Sequence, residues 1–386
     1  MRYHLFAINR ESFRSTRAYF LAIFIDSLTF WIFRPLRFML YRSDQSVENF
    51  RSGLIHSWTH IGDLLCLSPS VEELIASTPN IRWHILTNNS TNGLFKEVSI
   101  IPINTVPITA NSKWPNLKLA LALRKFKFDV VLSGHTTTAI PYASNFVLML
   151  TMLFLKPRRL YAHSFKGFGV LANYSVRTSR PVCMGEYFAI LVADLCGRKM
   201  GWSIQPRNRL CTAEQKLAKN LLAKYNIDEK STVVLVFPTA VTFAFYWPDD
   251  VLIYFVRRLQ EVEGITVLLC SGKEDFERFD AVARSCGRNV YPLSGVAIPT
   301  ILALLAECSL VVTPDSGGRH MGNAANCPVI YIKNPIMNSY DECYCSNEEM
   351  IDLWSKSPNR FKMMSMTESN VEFVLVKVFE TLNRLK

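Results

Sequence analysis

After residue 50 the chain alternates short apolar runs with amphipathic stretches, and it does so twice. In the first cycle Leu54-Ile55-His56, Trp83–Thr87 and Phe128–Ser133 read as strands, while Val71–Ala76, Leu117–Lys125, Phe146–Leu155 and 185–200 read as helices. Gly201–Arg209, with Pro206 inside it, reads as a linker. The rhythm then restarts with strands at Thr232–Phe237, Ile265–Cys270, Leu310–Val312 and Val329–Ile332. Helices are expected at Asp249–Val262, Glu274–Arg284 and Ile298–Glu307. Strands of this kind separated by helices build a parallel sheet covered by helices. The expected organisation is a first α/β domain over 51–205, a second over 206–365, and a C-terminal helix within 366–386. Ligands of such open sheets bind beyond the carboxyl ends of the strands, so the two halves are expected to face one cleft.

A chain of 386 residues is long enough for two such cores. With 49% hydrophobic and 19% charged residues it is not a disordered protein. The net charge of +11 points to phosphate-bearing partners. No cluster of Lys and Arg with aromatics resembles a nucleic-acid module, so lipid or phosphorylated sugar is the expected partner. The ten cysteines are scattered, several within apolar runs such as that ending in Cys270, and read as reduced, buried thiols. Cys343 and Cys345 lack the spacing of a structural zinc site, and no metal is expected.

Residues 1–50 form a segment of their own. The stretch between Arg17 and Arg42 is rich in Phe, Leu and Ile, but Asp26, Arg34, Pro35 and Arg37 interrupt it. Its longest uncharged piece is shorter than the roughly 20 residues of a membrane span, and no signal-peptide cleavage site follows. Arg34, Arg37 and Arg42 beside Trp31, Phe33 and Phe38 suit a helix lying in an anionic headgroup layer. Packing against the protein's own domain is the alternative.

The residues able to carry chemistry sit at strand ends. Thr313-Pro314-Asp315-Ser316-Gly317-Gly318-Arg319-His320 closes one strand and opens a helix. Unhindered amides at Gly317 and Gly318, helped by the helix dipole, form a phosphate cradle, and His320 can donate to a phosphate oxygen. The bland reading is a turn capped by Asp315. Gly62-Asp63 follows the first strand, where glycine permits close approach and Asp63 can take a proton from an acceptor hydroxyl. Thr239 and Thr242 lie in the loop after the strand ending at Phe237. Gly272 and Glu274 follow the next strand, where Glu274 can accept from a ribose diol. His135, after Gly134, is placed to line the acceptor side. No Gly-x-Gly-x-x-Gly follows a strand, which argues against a dinucleotide-binding dehydrogenase.

In this order the pieces resemble the heptosyltransferases of lipopolysaccharide core synthesis, glycosyltransferase family 9. The resemblance rests on Ile61-Gly62-Asp63 with Ser68-Pro69, Phe128–Val131, Pro157–Tyr161, Leu293-Ser294-Gly295, Asp315–His320, Cys327-Pro328 and Asn334-Pro335, covering about 54–340. It implies a GT-B fold, two Rossmann-like domains facing a central cleft, here with an added N-terminal helical segment. It also implies an inverting, metal-independent transfer of heptose from ADP-heptose to a lipid-linked phosphorylated oligosaccharide, at the cytosolic face of a bacterial inner membrane. Asp63 would be the base, with Gly62 and His135 on the acceptor side. Asp315, Ser316, Gly317, Gly318 and His320 would hold the donor's sugar and phosphates, with Thr239, Thr242, Gly272 and Glu274 around the nucleotide. The absence of an Asp-x-Asp sequence agrees with a metal-free mechanism.

Three positions depart from the family pattern. Phe245 stands where a Lys is usual, Phe237 where a His is usual, and Asn334 where a Gly is usual. Arg319 and Lys333 are the candidates to supply the missing cation. A transferase using another nucleotide sugar, such as a hexose or N-acetylhexosamine donor, and a non-catalytic family member are the alternatives.

Overall fold

The computed structural model describes residues 28, 31, 32, 35, 46–56, 61–87, 91, 93–95, 98–104, 117–134, 149–163, 171–176, 183–207, 212–228, 231–239, 245–333, 344–353 and 364–385. His135 and Thr242 lie outside them. The chain forms two compact units, Met1–Ile204 and Gln205–Lys386.

The first unit contains β1 (Ser52–His56), α1 (Ile61–Ser77), β2 (Arg82–Thr87), β3 (Ile101–Asn104), α2 (Leu117–Arg124), β4 (Val130–Ser133), β5 (Arg159–His163), β6 (Tyr174–Val176) and α3 (Met184–Leu195), with a further helical stretch at 149–153. Its six strands are all parallel, in the order β3-β2-β1-β4-β5-β6. The second unit contains α4 (Thr212–Lys224), β7 (Thr232–Val236), β8 (Phe245–Tyr246), α5 (Asp249–Gln260), β9 (Ile265–Ser271), α6 (Phe276–Cys286), β10 (Val290–Ser294), α7 (Ile298–Leu305), β11 (Leu310–Pro314), α8 (Gly317–Ala324), β12 (Val329–Ile332), β13 (Glu348–Ile351), β14 (Met364–Ser365) and α9 (Glu368–Leu385). Its main sheet is again six parallel strands, β10-β9-β7-β11-β12-β13. Both orders are that of a dinucleotide-binding sheet, 3-2-1-4-5-6 counted within each unit.

The central strands are apolar along their whole length because helices cover both faces. Val234, Val236, Val267, Leu269, Val312 and Ile330 form one core with Phe255, Val256 and Leu259 of α5 and with Phe279 of α6. The last helix, α9, is built into that same core through Val371, Val374, Leu375, Val378 and Leu382. Glu372 on α9 ties to Arg258 of α5 at 3.1 Å. In the first unit Leu54, Val131 and Leu160 pack with Met149, Met152 and Leu153.

One helix starts earlier than its sequence pattern predicts. Ile61-Gly62-Asp63, expected as the turn after β1, is the first turn of α1, ten residues before Val71. Gly62 and every residue from Leu64 to Val71 are buried, so no amphipathic stripe marks this part. Pro69 lies inside α1 and removes one backbone donor. The carbonyl it leaves unserved, that of Leu65, accepts instead from Ser68 Oγ at 2.7 Å. Similarly, the helix expected from Glu274 begins as a 3-10 turn, Lys273–Asp275, before α6.

Leu28, Trp31, Ile32 and Pro35 are helical and exposed. No helix among the described residues is long and apolar enough to cross a membrane.

Candidate active site

In the second sheet the strand order reverses between β7 and β11, and a crevice opens at such a reversal beyond the carboxyl ends. β11 runs directly into Asp315-Ser316 and then α8. Ser316, and not Asp315, is the cap: its backbone is extended and its Oγ accepts from the Gly318 amide at 3.3 Å. Thr313 Oγ1 lies 3.1 Å from Ser316 Oγ and steadies the turn. The chain after β7 comes so close that a Cβ on Gly318 would sit 2.6 Å from Phe237 Cδ2 and 2.7 Å from Thr313 Oγ1. Only glycine fits there.

Asp315 is half-buried, and its Oδ1 accepts from Arg319 Nη1 at 3.1 Å. Burial raises its carboxyl pKa, opposed by the Arg319 charge and hydrogen bond. His320 is half-buried and hydrogen-bonds the Tyr344 hydroxyl through Nδ1. Burial, and then the neighbouring guanidinium, lower its pKa to about 3. His320 is therefore a neutral donor or acceptor near neutral pH.

Arg319 does not replace the missing cation. Its side chain is 1% exposed and pairs with the fully buried carboxylate of Glu348, Nε to Oε2 at 2.8 Å and Nη2 to Oε1 at 2.9 Å. Its guanidinium lies 3.8 Å from the Tyr331 ring centre and 4.9 Å from that of Tyr344. Burial opposes ionisation of Glu348, but the hydrogen bonds and charge of Arg319 outweigh it and hold the carboxyl below its ordinary value. Lys333 is likewise committed, to Asp352 at 3.3 Å.

Thr239 is half-buried beyond the end of β7. Gly272 leaves β9 in an extended conformation, and Glu274 in the following 3-10 turn is exposed with its carboxylate folded over Gly272. Ser271 and Ser294, at the ends of β9 and β10, meet through their hydroxyls at 2.7 Å. Thus Asp315, Ser316, Gly317, Gly318 and His320 share one junction, Thr239 follows the adjacent strand, and Gly272 with Glu274 follows the next one.

Gly62 and Asp63 belong to the first unit. There the order reverses between β1 and β4, and α1 starts from that side of the sheet with Asp63 half-buried in its first turn. The β1 and β4 ends are joined by the Gly134 amide donating to the His56 carbonyl at 2.8 Å. A Cβ on Gly134 would press on Leu67 of α1 at 3.1 Å. His56 is 1% exposed, and burial lowers its pKa to about 3.

Glu348 and Tyr344 were not foreseen. A buried arginine requires a buried acid, but the partner is 29 residues away in a short, polar edge strand.

Residues 163–337 match the model of glycosyltransferase family 9 (heptosyltransferase). No curated protein matches the chain. Among solved structures, a family 9 glycosyl transferase from Veillonella parvula is similar at 14% identity and a TM-score of 0.67, covering 89% of this chain and 100% of that one. The E. coli ADP-heptose LPS heptosyltransferase II is similar at 16% identity and a TM-score of 0.64, covering 86% of this chain and 99% of its own. The E. coli heptosyltransferase WaaC with ADP-2-deoxy-2-fluoro heptose is similar at 16% identity and a TM-score of 0.61, covering 85% and 99%. These likenesses show the fold, two Rossmann-like domains of the GT-B type.

Proposed function

We propose, on the premise that this chain belongs to glycosyltransferase family 9 through residues 163–337, that it transfers heptose from ADP-heptose to a lipopolysaccharide core acceptor with inversion and without a metal. The observation that carries this reading is the β11–α8 junction. It presents glycine-lined amides, a neutral imidazole and a carboxylate at the point where a parallel sheet reverses its order. A leaving diphosphate develops negative charge as the glycosidic bond breaks, and amides at a helix N-terminus stabilise that charge where other enzymes use a cation.

In this mechanism Asp63 removes the proton from the acceptor hydroxyl. The oxygen forms a bond to the anomeric carbon as the bond to the ADP phosphate breaks, and ADP leaves with the bonding pair. Gly62 leaves room for the acceptor, and His135 lines it. Asp315 and His320, with the amides around Gly317 and Gly318, hold the donor's sugar and phosphates, and Ser316 fixes the turn. Glu274 and Gly272 receive the ribose, with Thr239 and Thr242 beside the nucleotide.

Parallel assays with ADP-heptose and UDP-hexoses on a truncated core acceptor test the donor. Heptose incorporation is expected, and incorporation only from a UDP-sugar would replace this reading with the second one, a transferase for another nucleotide sugar. That second reading is favoured by one observation: Phe237, standing where the family usually has His, packs its ring onto Gly318.

The acceptor's lipid calls for a membrane surface. The exposed Leu28, Trp31 and Ile32, within a segment that also carries Arg34, Arg37 and Arg42, support docking on an anionic bilayer at the cytosolic face. Loss of binding to anionic liposomes on removing residues 1–50 is expected, and retained binding overturns it.

A further inference from the structure

The donor half lacks cations at Phe245 and Phe237, yet it buries one directly after its glycine pair. The Arg319 side chain is 1% exposed and spends two of its nitrogens on Glu348, whose side chain is 0% exposed. Glu348 also accepts from Asn323 Nδ2 at 2.8 Å and from the Cys345 amide at 3.2 Å. The third nitrogen, Nη1, reaches Asp315 at 3.1 Å. The flat guanidinium lies against Tyr344, whose hydroxyl bonds His320. A buried ion pair is a weak source of stability, because apolar side chains of the same volume often serve as well. What this pair does is fix two donor-site side chains from one point.

We propose, resting on the reading that the β11–α8 junction holds the donor, that Glu348 is a positioning residue of that site. It clamps Arg319, which sets the Asp315 carboxylate and, through Tyr344, the His320 ring.

A double-mutant cycle tests this. Glu348→Gln strands the guanidinium charge and Arg319→Met strands the carboxylate, so each single variant is expected to melt lower than wild type. The double variant R319M/E348Q removes both charges. Its glutamine still accepts from the Cys345 amide, and once the Asn323 amide turns over, its NH2 donates to Asn323 Oδ1, a buried oxygen with no hydrogen-bond partner among the described residues. It is therefore expected to recover the wild-type melting temperature. ADP and UDP are titrated calorimetrically onto the full chain. For whichever nucleotide wild type binds, the double variant should bind about tenfold more weakly despite its recovered stability. Tyr344→Phe cuts the arm to His320 and leaves the ion pair intact. It should weaken binding about threefold at unchanged melting temperature. This variant decides the matter if the double variant does not fold. Wild-type affinity in the folded variants overturns the positioning role and leaves a purely structural pair. Failure of wild type to bind either nucleotide overturns the donor reading itself, and this role with it.

Discussion

The two units share a strand order and differ in the polar groups they bury. The first buries neutral imidazoles: His56 ends β1 and His163 ends β5, each at most 2% exposed and each lowered to about pKa 3 by burial. The second buries charge, the Arg319–Glu348 pair with Asp315 attached. Topology alone therefore does not set the chemistry of such a sheet. The charged cluster adjoins the β11–α8 junction, and the first unit places the half-buried carboxylate of Asp63 in the first turn of a helix.

The largest effect that would sharpen this contrast is chemical. If Asp63 is the proton acceptor, Asp63→Ala should lower kcat by about 10²–10⁴-fold, or ~3–5 kcal/mol, with donor affinity and melting temperature unchanged. A wild-type turnover would break the division into a base-bearing and a donor-bearing half.

The next effect is the response of each unit to acid, with His56 and His163 held neutral by burial in the first and His320 in the second. An unfolded histidine takes up a proton below about pH 6.5, whereas His56 and His163 in the fold do not until about pH 3. Their contribution to stability is complete above pH 6.5 and falls as the pH drops below it. The slope is about 1.4 kcal/mol per pH unit for each fully shifted histidine. Calorimetric melting from pH 7 to pH 5 should show the first unit's transition moving down, and His56→Leu should remove one proton from the slope. An unchanged slope in that variant would show that His56 is not held neutral.

Burial pattern decides how much of this was legible in the sequence. β7, β9, β11 and β12 are covered on both faces and read as unbroken apolar runs. The outer strands do not: β10 contains Pro292, and β13 opens with Glu348-Glu349. The start of α1 was hidden for the opposite reason, since a helix buried all round has no stripe to detect. The β11–α8 junction was legible because two glycines after Asp315-Ser316 have little other use. The Arg319–Glu348 contact was not, because it joins residues whose nearness exists only after the sheet has formed.

The smallest effect tests whether the glycine pair is about space or only about a turn. At Gly318 a methyl group would lie 2.6 Å from Phe237 Cδ2 and 2.8 Å from Cγ, and Phe237 is only 8% exposed. The ring is packed in place and Thr313 Oγ1, 2.7 Å away, is engaged with Ser316, so Gly318→Ala should cost about 1–3 kcal/mol and tilt the first turn of α8. Ring removal gives the control: adding Phe237→Ala to that variant takes away both ring atoms that clash and leaves only Thr313 Oγ1 at 2.7 Å, at a cavity cost of its own. If the close approach of β7's loop is what demands glycine, the two changes will be less than additive in melting temperature. If they add, the Thr313 contact and the turn at Ser316 are what demand it, and the start of α8 does not depend on Phe237.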